Sequence, residues 1–303
     1  MIKKLRNNED KTLLGWVLIF FLAFVWGLSF ILVKKIVSNF SALELGAGRI
    51  FIAGLALSPW AISHLKNFPK AKTTPLLFSG LLGYLIPAII FGIVGSKLNS
   101  SLAGTLNATT PIFVLLMGGL FFSKKITGNQ VFGIIIGFVG SLLLILSGGN
   151  TKLDFSNPYT LLVLSATVMY GLNANIVGHF LSTVKPIVIS SFSLVFVGII
   201  AFVILLFTDF FGKIFLPENH LLLIYFLFLG AINSGLAAVL YNYVLQITSP
   251  VFASSVTYLI PIVATGAGIF DGEKIGFWHY FGMAIILVGI YILNRRKTPG
   301  KKV

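Results

Sequence analysis

The sequence predicts an all-α polytopic membrane protein whose ten transmembrane helices form two inverted five-helix repeats. Three observations predict it. Hydrophobic residues make up 57% of the 303-residue chain against 10% charged, with a mean hydropathy of +0.99. Apolar runs near 20 residues fill almost the whole length, and segments of the first half recur in the second. A soluble chain of this size needs several times more charge to cover its surface. An apolar run of about 20 residues, by contrast, crosses the roughly 30 Å of bilayer hydrocarbon.

Spans are expected at residues 13–33, 43–62, 75–96, 102–122, 129–147, 159–179, 187–208, 221–245, 251–270 and 276–293. Turn or charge clusters separate them, such as Phe68-Pro69-Lys70, Ser147-Gly148-Gly149-Asn150, Leu216-Pro217-Glu218-Asn219 and Asp271-Gly272-Glu273. The connections are too short for a soluble domain. Residues 1–12 read as a tail, 13–147 as the first repeat, 148–158 as a connecting loop, 159–293 as the second repeat and 294–303 as a basic tail. The run beginning at Leu13 is too long for a signal-peptide core and lacks a small-residue cleavage site, so it is expected to be the first span.

The net charge of +14 forms no stripe that could track a phosphate backbone, so nucleic acid is not an expected partner. Every Lys and Arg except Arg49 falls between the apolar runs or at the ends. With the N-terminus inside, 15 lie on the cytoplasmic side and 6 outside, so both termini are expected in the cytoplasm of a multi-pass cell-membrane protein. The chain contains no cysteine, which excludes disulfides and thiolate chemistry.

Repetition organises the spans. Trp26-Gly27-Leu28-Ser29 reappears 144 residues later as Tyr170-Gly171-Leu172-Asn173. At a spacing of 150, Ser101 to Pro111 lies on Val251 to Pro261. Phe132-Gly133 and Gly140 match Phe281-Gly282 and Gly289 after one gap. An odd number of spans per unit inverts the second copy and gives a pseudo-two-fold axis in the membrane plane.

Two five-span halves, a Trp-Gly-x-Ser-Phe segment in span 1, an Arg in span 2, and small-residue stretches running to Pro in spans 4 and 9 resemble the drug/metabolite transporter superfamily. Its EamA-like branch is the most similar. That resemblance implies a transporter of amino acids, metabolites or drugs. One departure is that such halves often carry Glu just after the Pro-containing span: the second half has Glu273, whereas the first reads Phe122-Ser123-Lys124-Lys125.

The candidate transport residues are polar groups inside apolar spans. Pro111 and Pro261 each free the carbonyl four residues back, at Asn107 and Thr257, which correspond in the repeat. Both prolines are expected to break their helices. Irregular backbone at membrane depth must face protein or water, so ligand-facing notches and packed kinks are the two readings. Trp26 and Ser29 in span 1, with Tyr170, Asn173 and Asn175 in span 6, are read as cavity lining or core packing. Tyr84, Tyr241, Asn242 and Tyr258 are further lining candidates. Asn233 and Gln246 are expected to make interhelical hydrogen bonds or to lie near a membrane face.

Arg49 lies inside span 2, where a guanidinium must face a cavity, pair, or snorkel. Its repeat counterpart is Ser193, and Glu44 is its candidate partner for a gating or structural ion pair. No Asp or Glu lies deep in a span, so proton coupling has no clear basis; Glu44 and His179 are the nearest titratable groups.

No paired carboxylates, metal-spaced histidines or Gly-x-Ser-x-Gly elbow are present, so neither catalysis, a metal nor a cofactor is expected. A carrier is favoured over a channel, since neither a charged ring nor a carbonyl filter is visible. The expected function is movement, as export, of a small organic metabolite such as an amino acid or drug-like compound, by alternating access. A non-transporting membrane scaffold or receptor is the alternative. The sequence leaves oligomeric state open.

Overall fold

The computed structural model describes residues 8–95, 97–98, 100–147, 157–270 and 276–294. Lys152, Glu273, most of the connecting loop and the ends of both tails lie outside them. The described residues form helices and turns without a strand.

Among the described residues, eight helices are long and apolar enough to cross a bilayer: Asp10–Ile36 (span 1), Ala42–Ser63 (span 2), Lys70–Gly95 (span 3), Gly128–Leu146 (span 5), Tyr159–Phe180 (span 6), Pro186–Leu206 (span 7), Pro217–Ile247 (span 8) and Phe277–Asn294 (span 10). Spans 4 and 9 are each broken, into Ser100–Asn107 with Thr110–Phe122 and Pro250–Ser254 with Val256–Phe270. Starts are set by local chemistry. Ser41 and Glu44 cap span 2 reciprocally, Thr127 and Gln130 do the same for span 5, and span 9 opens on a Ser249 cap followed by Pro250.

Pro111 behaves as expected of a residue without an N–H. It sits in the first turn of the second piece of span 4, and the hydroxyl of Thr110 donates to the Asn107 carbonyl at 2.7 Å. Pro261 does not break span 9. It lies inside Val256–Phe270, and the break falls at Ser255, where the Ser254 and Ser255 hydroxyls turn back onto the Val251 and Phe252 carbonyls. The break precedes the proline by six residues.

Packing follows the repeat. Span 2 packs on its own equivalent, span 7, and span 5 on span 10. Span 4 packs on span 6 as span 9 packs on span 1. Small residues bring the backbones together, which drives association where lipid offers no hydrophobic gain. A Cβ on Gly54 would stand 2.7 Å from the Leu194 carbonyl oxygen, and one on Gly198, the residue 144 positions on, 3.2 Å from the Gly54 Cα. Between spans 5 and 10 a Cβ on Gly133 would meet the Gly289 carbonyl oxygen at 2.7 Å, and one on Gly140 the Gly282 carbonyl oxygen at 3.0 Å.

Spans 3 and 8 carry π-helical turns, at Leu81–Leu85 and Phe228–Leu236. Such turns widen the helix and recur at functional sites. Shifted by 150 residues, the first falls inside the second.

Candidate functional site

A cavity of about 430 Å³ lies between the halves, lined from spans 1, 2, 3, 4, 6, 8 and 9. Its walls are repeat-equivalent. Trp26 and Ser29 face it with Tyr170 and Asn173, each pair 144 residues apart. Gly83, Tyr84, Ala88 and Phe91 of span 3 line it with Asn233, Ser234, Ala238 and Tyr241 of span 8, all at a spacing of 150. Asn107 and Thr110 do so with Thr257 and Ile260 at the same spacing. Even the aromatic contacts repeat: Trp26 meets Tyr241 at 5.6 Å, and their equivalents Tyr170 and Phe91 stack at 6.3 Å.

The polar groups divide into satisfied and unsatisfied. Ser29 donates to the Trp26 carbonyl at 2.6 Å and Thr257 to the Ser254 carbonyl at 3.0 Å. The amide oxygens of Asn107 and Asn173, buried in the wall, have no hydrogen-bond partner. Asn173 fits because Gly83 has no side chain; a Cβ there would lie 2.3 Å from its amide nitrogen. Both are buried acceptors left without a donor beside the cavity, which is uncommon in a folded interior.

Arg49 reaches the cavity from span 2. Its Nε donates to the Ser234 hydroxyl at 3.1 Å and an Nη to the Asn233 amide oxygen at 3.0 Å, both on the π-helical turn of span 8. Glu44 is not its partner. That carboxylate accepts from the Ser41 amide at 2.7 Å and pairs with Lys213 at 3.2 Å, holding the start of span 2 to the connection after span 7. Ser193, equivalent to Arg49, donates to the Leu76 carbonyl at 2.8 Å in a buried packing contact, so the guanidinium has no counterpart in the second half.

Three further candidates lie off the cavity. Asn242 is fully buried behind Tyr84, donating to its hydroxyl at 3.2 Å and to Ser190 at 2.8 Å. Tyr258 points away, into span 5, where its hydroxyl donates to the Ile134 carbonyl at 3.0 Å and its ring lies against Gly137. Asn175 ties span 6 to span 4 by donating to the Val114 carbonyl at 2.8 Å. Gln246 bonds across to the Val184 carbonyl, and His179 is exposed at the end of span 6.

Asn233 makes the interhelical bonds its sequence context implied: its amide nitrogen donates to the Val25 carbonyl at 3.0 Å, and its own carbonyl accepts from the Trp26 indole at 3.0 Å. That it and Ser234 also line the cavity was not anticipated. The readable signal was the 150-residue spacing, which places them on Gly83 and Tyr84.

Among the described residues, the cavity lining reaches one end of the bundle. Val33 and Lys34 at the end of span 1, Val94 and Gly95 at the end of span 3, and Leu98 beyond it line its mouth. Their equivalents Val177, Gly178, Val244, Leu245 and Thr248 do not line it. Inversion puts them at the opposite end, which is packed shut. Val177, Val244 and Leu245 share a core with Ile19, Leu22 and Phe252, Gly178 lies against Pro250, and Thr248 fills the space beside Gly15. Trp16 closes edge-on over Phe252 at 5.5 Å.

Comparison with known proteins gives a consistent set. The model of the EamA-like transporter family matches residues 13–146 and again 157–295. An uncharacterized transporter of Archaeoglobus fulgidus is 26% identical, over 93% of this chain and 99% of its own. The Escherichia coli K12 inner membrane transporter YedA is 25% identical, over 94% of this chain and 92% of its own. A protein of Streptantibioticus cattleyicolor named as a probable terminal-alkyne amino-acid exporter is 22% identical, over 92% of this chain and 98% of its own. A solved crystal structure superposes with a TM-score of 0.68 at 16% identity, covering 94% of this chain and 96% of that one, so the fold is shared.

Proposed function

We propose that this chain, which belongs to the EamA-like transporter family, exports a small carboxylate-bearing metabolite, an amino acid or a drug-like compound, by alternating access. The carrying observation is the mouth. Residues at one end of the first half line an opening, while their equivalents in the inverted second half are packed shut at the other end. If the two halves exchanged conformations, the mouth would close and the opposite end would open on the same central wall. With both termini cytoplasmic, as the basic asymmetry expects, the structure is open outward.

The wall argues for the ligand. Arg49 offers a fork to a carboxylate, the Asn107 and Asn173 side chains add amide groups to the wall, and Trp26, Tyr84, Tyr170 and Tyr241 give an amphipathic aromatic surround. About 430 Å³ suits a molecule of amino-acid or small-drug size. A multiply charged phosphate would want several cations. The relative named for an amino-acid substrate supports the same class.

Two single-cysteine variants test the mechanism on the cysteine-free chain. Leu98→Cys should react with membrane-impermeant thiol reagents added outside. Its equivalent Thr248→Cys should react only from the cytoplasmic side, and conditions that raise one should lower the other. A Thr248→Cys protein that stays inert from the cytoplasm during substrate turnover would remove the alternating-access reading. A thermal-shift screen of amino acids and drug-like compounds, followed by efflux from proteoliposomes, identifies the substrate.

A further inference from the structure

Arg49 is held by two neutral groups, the Asn233 amide oxygen and the Ser234 hydroxyl. Among the described residues the guanidinium forms no ion pair, and the one carboxylate on its own helix is committed to Lys213 and the Ser41 amide. Its surroundings therefore orient the positive charge without cancelling it.

Asn233 is fixed at three points: its amide nitrogen donates to Val25, its carbonyl accepts from Trp26, and its amide oxygen faces Arg49. The Val25 carbonyl accepts hydrogen bonds and cannot donate them, so it settles which end of the amide points at the guanidinium. An aspartate of the same shape would meet the Val25 carbonyl with an unfavourable oxygen and neutralise Arg49 with the other.

We infer that Asn233 is a positioning residue that sets the charge selectivity of the cavity: as a neutral amide it aims Arg49 without cancelling its charge, leaving the ligand's anionic group to serve as the counter-ion. This deepens the proposed function and rests on that reading for the identity of the cavity as the transport site. It assigns the substrate at least one anionic group, and it assigns discrimination against purely cationic compounds to span 8 rather than to the mouth.

The test reads the potential in the cavity without needing the substrate. Ser29→Cys places one thiol on the cavity wall of an otherwise cysteine-free chain. Its rates with an anionic (sulfonatoethyl) and a cationic (trimethylammonioethyl) methanethiosulfonate are divided by those of a small thiol in solution. The anionic reagent should be favoured in this background. Adding Asn233→Asp should lower the anionic-to-cationic ratio by roughly tenfold or more, as expected of a charge cancelled at low dielectric, and Arg49→Gln should lower it to a similar level. Ser234→Asp supplies a counter-ion from the Nε side without disturbing Val25, so it should reproduce the drop even where Asn233→Asp folds poorly.

An unchanged ratio in the well-folded aspartate variants would overturn the inference and leave Asn233 a purely structural tie. A Ser29→Cys thiol inert to both reagents would overturn the inference together with the open cavity. A preserved ratio pattern in a protein that transports no carboxylate would overturn the transport reading while leaving the electrostatic one standing.

Discussion

Asn107 and Thr257 occupy equivalent positions in the two halves but face different accounts. The Asn107 oxygen is buried without a partner, whereas the Thr257 hydroxyl is engaged by the Ser254 carbonyl. Asn107→Leu should therefore abolish or greatly reduce transport while leaving thermal stability unchanged or slightly raised, because an unsatisfied buried acceptor disappears. Thr257→Val should cost transport less and stability by about 0.5–1.5 kcal/mol, the net value of one hydrogen bond. Efflux assays and melting curves on the same preparations separate the two; an Asn107→Leu protein that transports normally would place this residue outside the pathway. The sequence marked these residues as polar groups four positions before a repeated proline, but it could not assign direction to their neighbours. Successive helical residues differ by about 100° around the axis. Thr257 and Tyr241 line the cavity while their neighbours Tyr258 and Asn242 do not, and in each pair composition alone gave no reason to prefer either.

At the scale of helices, the glycines of spans 5 and 10 make a contact that nothing larger can share. A Cβ on Gly289 would lie 2.4 Å from the Gly137 backbone nitrogen, so the helices must separate to admit it. Gly289→Leu should lower stability by about 3 kcal/mol, whereas Gly104→Ala, with nothing within 4 Å, should leave stability unchanged or raise it by about 0.5–1 kcal/mol. Detergent melting temperatures check both, and equal effects would contradict the packing described. The glycine match between these spans was legible because repeated small residues survive in the sequence as letters. The π-helical turns were not legible. An extra residue in a turn has no compositional mark inside an apolar run, and it shifts every later side chain around the helix. Asn233 and Ser234 lie on the second of these turns, and only their 150-residue spacing from Gly83 and Tyr84 marked them for the cavity wall. The break in span 9 was misread because the proline was taken as its mark, whereas the chain turns six residues earlier, at Ser255, and the helix runs on through Pro261.

For the molecule as a whole, length, hydropathy and an internal repeat were enough to give ten helical spans in two related halves, since a bilayer admits few other backbone arrangements. Orientation is a separate matter, resting on the 15-to-6 distribution of basic residues. Single cysteines near residues 3 and 300 should be protected from impermeant reagents in intact cells and exposed after permeabilisation; labelling of the C-terminal site from outside would require an odd number of crossings. The packing of span 2 on span 7 has a consequence of another kind. Gly54 and Gly198 are each other's equivalents and face each other, so the distance between them is its own image when the halves trade places. Every change of state that consists of that trade must leave this one length invariant, while the separation of Leu98 and its neighbours across the mouth takes the value now held at the far end. A pair of spin labels beside Gly54 and Gly198 is thus a built-in ruler of fixed length against which all other displacements in the transporter can be read.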